Sequence, residues 1–168
     1  MRLWPHIIGL LLIALVSEMS VLVAFGEKPV APTVSRVEVV LAYHFRDREA
    51  ELKNEFAQAG LVNAHFQFAR MGQPPQNIGM GREVPADKAR EAIRLALKYN
   101  LGVGILLPER LFPPRFITIA SSNYDDTVEY PIDHTILTTL QNPELTTEAF
   151  HRLYRELTSA VIIPKGHY

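Results

Sequence analysis

Apolar residues recur at helical steps in three stretches of this chain and at alternate positions in a fourth, and this pattern lays out its elements. Ala89, Ala92, Ile93, Ala96 and Leu97 share one stripe, while Lys88, Arg90, Glu91, Arg94 and Lys98 face elsewhere, which predicts a core-facing helix. Pro85 suits the start of that helix, Asp87 complements its dipole, and Asn100 and Gly102 permit its exit. The run Val103-Gly104-Ile105-Leu106-Leu107 is short and unbroken, as expected of a strand covered on both faces. Pro108, Pro113 and Pro114 then interrupt pairing before a second extended segment, 116–120.

On either side of this centre the same reasoning adds further elements. Residues 37–45 carry Val37, Val39, Val40 and Leu41, too apolar for an exposed edge, so this strand is expected inside the sheet. Leu52, Phe56 and Ala59 follow at helical spacing, with Gly60 as the stop. Val62, Ala64, Phe66 and Phe68 alternate with Asn63, His65 and Gln67, predicting a strand with one buried face. The glycine- and proline-rich segment 70–84 reads as a long loop, and 127–130 reads as a hairpin partner of 116–120. Residues 132–140 suit one or two helical turns. Thr146 is the expected N-cap of a last helix with Phe150, Leu153, Tyr154 and Leu157 as its stripe.

The resulting order is βαβαββα in a small mixed-sheet α/β domain at 36–159, with the first strands parallel and the last pair antiparallel across a tight turn. In this order, over about residues 36–158, the chain resembles the thioredoxin-like superfamily, and Pro114 ahead of Phe116-Ile117-Thr118-Ile119 is similar to that family's cis-proline before its third core strand. Another small α/β sandwich with a mixed sheet is the alternative. Where the family's paired cysteines open the first helix, this chain has His44-Phe45-Arg46-Asp47, and there is no cysteine anywhere, so thiol-disulfide exchange is excluded.

Residues 1–26 break the composition of the rest. An apolar run at 7–16, the polar step Ser17-Glu18-Met19-Ser20 and a second apolar run at 21–25 follow the basic start at Arg2. Two readings stand: a cleaved signal peptide, or an N-terminal hydrophobic helix that anchors the chain. The anchor is preferred, because a cleavage region should follow the first apolar run closely and a second apolar block intervenes. A short Pro-containing linker at 27–35 would join it to the domain, and a tail would follow at 160–168. The expected location is the cell membrane, single-pass with the C-terminal domain periplasmic or extracellular; the alternative is a secreted or periplasmic domain after cleavage. Glu18 within the apolar segment points to a contact with a neighbouring subunit, or to the outer interface.

A formal net charge of -1 gives no attraction to nucleic acid. The six histidines hold no His-x-x-x-His pair, so neither a metal nor a cofactor is expected, and no catalytic residue is identified. Gly79 and Gly81 with Arg82 can present amides and charge to an anion. His44 closes the first strand, where α/β ligand sites cluster. Phe112, Pro113 and Tyr124 are the candidate surface for a protein partner. The reading that follows is a non-catalytic, membrane-anchored envelope module acting as an accessory or assembly subunit on another envelope or membrane protein. The alternative is an exported enzyme or small-ligand-binding domain using the 70–84 loop and the His44 end of the sheet.

Overall fold

The computed structural model describes residues 33–100, 102–121 and 132–160. The N-terminal hydrophobic segment with Glu18, the hairpin partner at 127–130, Tyr124 and the tail beyond residue 160 lie outside the described residues.

Among the described residues, five strands form one mixed sheet: β1 (Arg36–Ala42), β2 (Ala64–Ala69), β3 (Asn77–Met80), β4 (Ile105–Leu107) and β5 (Phe116–Ile119). Four α-helices accompany them there: α1 (Glu49–Gln58), α2 (Ala86–Tyr99), α3 (His134–Leu140) and α4 (Thr147–Thr158). The sheet order is β2-β1-β5-β3-β4. β1 is internal, as its apolar Val37, Val39, Val40 and Leu41 suit, and pairs in parallel with β2 and with β5. β3 runs antiparallel to β5 and parallel to β4.

The strand at 77–80 corrects the sequence reading of 70–84 as a loop, and the order becomes βαββαββαα. All four β3 residues are buried, so no alternation marks them, and Gly79 disguises the strand as a turn. Its insertion also changes the pairing. The segments around 105 and 117 were expected as antiparallel neighbours, yet β3 lies between them. Pro114 precedes β5 through a trans peptide, unlike the cis-proline of the family resemblance.

β1-α1-β2 steps one way along the sheet and β3-α2-β4 steps the other way from a strand of opposite direction. Two right-handed crossovers so related place their helices on one face. Lys98 and Arg94 of α2 accordingly reach Glu55 of α1 at 2.8 and 3.7 Å. On α2's other side, Arg90 donates to the carbonyls of Asn142 and Leu145, and the Ala86 amide to Thr147 Oγ1 at the start of α4. The basic row of α2 is thus spent on ties between helices.

The core lies between these helices and Val37, Val39, Leu41, Ile78, Met80, Ile117 and Ile119 of the sheet. Phe66 of β2 points the same way and meets Phe56 of α1 edge-to-face at 5.0 Å. On the opposite face the proline turn folds back over β3. The Phe112 ring occupies the space where a Cβ of Gly79 would lie, and stacks on Phe116 at 5.9 Å.

The helix ends follow local chemistry. Gly60 adopts φ +78° to end α1, and Lys88 Nζ donates to the neighbouring Ala59 carbonyl at 3.3 Å. Thr146 caps α4 by accepting the Ala149 amide. The α4 stripe is rotated from its expected setting: Phe150, His151, Tyr154 and Thr158 are buried, while Leu153 and Leu157 are partly buried. The expected linker ends on the domain, with Val34 buried and the Ser35 amide donating to Arg115 O at 2.8 Å.

Candidate functional site

The strand directions separate the residues that the sequence grouped. β1 ends at Ala42 rather than running to residue 45, so His44 does not close the strand. It lies in the 3₁₀ turn Tyr43–Arg48 that follows, at the end of the sheet toward which the parallel β5 also runs. β3 is antiparallel to β5, so Met80 pairs with Ile117 near the opposite end, and Gly81 and Arg82 emerge there. His44 and Arg82 therefore occupy opposite ends of the sheet.

At the His44 end the imidazole is exposed and rests against Phe45 at 4.1 Å. Nearby in the topology, Asn77 clamps the end of β5. Its amide group donates to Ser121 O at 2.9 Å and its carbonyl oxygen accepts the Ser121 amide at 2.8 Å, holding Ala120 in a left-handed conformation at φ +61°.

The Gly79 and Gly81 positions serve packing. The Gly81 amide donates to Phe116 O at 2.8 Å, and Pro113 and Pro114 press on its Cα, which fills the cradle an anion would need. Phe112 is half-buried, while Pro113 and Pro114 are exposed. Arg82 remains on the surface.

At the Arg82 end a cleft of about 830 Å³ opens between the proline turn and the C-terminal part of α4. Arg82, Arg110 and Arg155 line it, with Phe112, Pro108 and Pro114 as apolar wall. Glu109 forms part of the floor. Its side chain is 6% exposed, bonded through Oε1 to His151 Nδ1 and through Oε2 to Arg155 Nη1 at 3.3 Å. His151 Nε2 lies 2.7 Å from the Val84 carbonyl, which can only accept, so Nε2 carries a hydrogen. The Glu109–His151 contact ties the carboxylate to the other ring nitrogen. With both ring nitrogens committed, His151 positions the proline turn against α4 and offers no free nitrogen to a substrate. Tyr154, one turn along α4, donates to Leu107 O at 2.8 Å; burial, reinforced by the charge of Glu109, pushes its phenol far above the ordinary range.

A larger cleft of about 1030 Å³ lies between α1 and α2, but its charges neutralise one another. Lys88 sits 3.3 Å from Asp87, Arg94 bonds Glu91 at 2.9 Å, and Glu55 takes Lys98. Burial alone would raise the Glu55 carboxyl; hydrogen bonds from Lys98 and Tyr99, and the charges of Lys98 and Arg94, outweigh it and hold the group below its ordinary value. A depressed acid contributes stability that is present above its unfolded value and lost as pH falls through the folded one. Glu55→Gln is accordingly expected to cost about 1 kcal/mol at pH 7 and to flatten the loss of stability below about pH 4.5, read from denaturant unfolding across pH. An unchanged acid limb would discount the tie between α1 and α2.

Sequence reasoning missed Glu109, His151, Arg110 and Arg155. The available signal was His151 on the apolar stripe of α4, since a polar side chain there requires a buried partner. Fold and site together define a mixed α/β domain with helices layered on one face of a five-stranded sheet and an arginine-lined cleft at one end. Comparisons with protein-family models, with curated proteins and with solved structures find no match. Among the described residues no helix is long and apolar enough to cross a membrane.

Proposed function

We propose that this protein is a non-catalytic envelope module, anchored through residues 1–26, whose α/β domain acts on the periplasmic or extracellular side as an accessory or assembly subunit through protein contacts. The anchor rests on the two apolar runs at 7–16 and 21–25. The partner contact rests on the edge of the sheet at β2. This strand pairs with β1 on one side and, among the described residues, with nothing on the other. Val37 N donates to Asn63 O, so the alternation of a parallel ladder turns the amides of Ala64, Phe66 and Phe68 outward. The strand is six residues long and holds no proline, lysine or other formal charge, the usual devices that protect an edge. An extended segment of a partner can add there as a further strand.

Two measurements test this reading. The intact mass recovered from native membranes is expected to be that of the full chain; a soluble species beginning near Glu27 would remove the anchor. A photo-crosslinking residue at exposed Gln67 is expected to give a discrete adduct that the same probe at Glu156 on α4 does not give. Equal labelling from both positions would remove the β2 contact.

A further inference from the structure

We propose that the arginine-lined cleft binds a small organic oxyanion, a carboxylate or phosphate carried on an apolar body. This is independent of the partner contact at β2, which lies at the other edge of the sheet.

Three arginines line it from three separate elements. Arg82 comes from the connection between β3 and α2, Arg110 from the 3₁₀ turn Glu109–Leu111, and Arg155 from the last turn of α4. Among the described residues Glu109 is the sole carboxylate of the lining, on a chain whose net charge is -1, so the described lining is positive where the protein as a whole is not.

The fold does not consume that charge. Arg110 makes no hydrogen bond or ion pair among the described residues, and Arg82 approaches Glu83 only to 4.0 Å. Arg155 touches Glu109 through Nη1 alone at 3.3 Å, and the carboxylate is also bonded to His151. This contact steadies Arg155 from below and leaves its remaining N–H groups for a ligand. Planar guanidinium forks match carboxylate and phosphate oxygens in pairs, which a cluster of lysines would not do.

The wall gives the second half of the recognition. The Phe112 ring stacks on Phe116 and sits over Gly79, with Pro108 and Pro114 beside it. An apolar surface flanking a few convergent donors is the usual composition of a small-molecule site. A free inorganic anion would use the arginines and leave this wall bare, so the favoured occupant carries an organic group.

The test is a titration of the full-length protein in detergent with phenyl phosphate, benzoate and inorganic phosphate, followed through arginine side-chain NH resonances. Saturable shifts confined to Arg82, Arg110 and Arg155 are expected, with an organic anion binding more tightly than inorganic phosphate. The order of phenyl phosphate and benzoate assigns the anionic group. Arg110→Ala should weaken binding about tenfold or more, the loss of one charge-assisted hydrogen bond, and Arg152→Ala, exposed on α4 outside the cleft, should leave it unchanged. Phe112→Ala should abolish the advantage of the organic anion. Non-saturating shifts, or equal losses from Arg110→Ala and Arg152→Ala, would overturn the site and leave only general attraction between charges.

Discussion

Replacing His151 by leucine is expected to lower stability by about 3–5 kcal/mol, one of the largest effects available to a single substitution in this domain. Glu109 and His151 are 6% and 4% exposed, so the carboxylate has little access to water when its partner is removed. Arg155 remains at 3.3 Å, but it is 56% exposed and solvent-screened, and cannot replace a buried hydrogen-bond partner. The Val84 carbonyl also loses its donor. The double substitution His151→Leu with Glu109→Leu removes both polar partners together and should recover much of the loss, because an apolar pair of similar volume often matches a buried polar or ionic one. Denaturant unfolding of both variants decides the matter. A single variant within about 1 kcal/mol of the native protein would show that the pair is not coupled to the fold.

Gly81→Ala should be the second severe change, at about 2–4 kcal/mol, because its new methyl group has nowhere to go. A Cβ there would overlap the Pro113 carbonyl oxygen and lie 2.6 Å from both the carbonyl carbon and oxygen of Pro114, and these are backbone atoms that no rotamer change can move. The turn would have to lift from β3, straining Gly81 N to Phe116 O at 2.8 Å and Glu83 N to Pro114 O at 2.7 Å. Since Pro114 and Phe112 form the wall of the arginine cleft, the same variant should also lose preference for an organic anion. Gly79→Ala is the informative comparison. It meets the Phe112 ring, a side chain able to swing aside, with Leu107 Cβ at 3.2 Å, so its cost should be about half as large. Equal costs at the two positions, read by thermal or denaturant unfolding, would mean that the turn is more pliable than its hydrogen bonds indicate.

What the sequence determined by itself was local periodicity and the chemistry of chain ends. The α2 stripe, the internal character of β1, the Gly60 stop and the Thr146 cap each depend on residues within a turn or two of one another, and each is present in the structure. The alternation of β2 is present too, but its inward face is only partly buried and Val62 lies exposed outside the strand. The mixed α/β class follows from those elements. Only the tertiary structure decided the rest. β3 is four residues long, and burial of both its faces erases the alternation that would reveal it. Its place between β5 and β4 sets which loop ends share an end of the sheet, and so it parted His44 from Arg82. Glu109 and His151 are separated by 42 residues, and Arg82, Arg110 and Arg155 look in sequence like ordinary surface charge. Their convergence depends on the direction of a strand and the seating of α4. Those are properties of long-range packing, which no local pattern along the chain encodes.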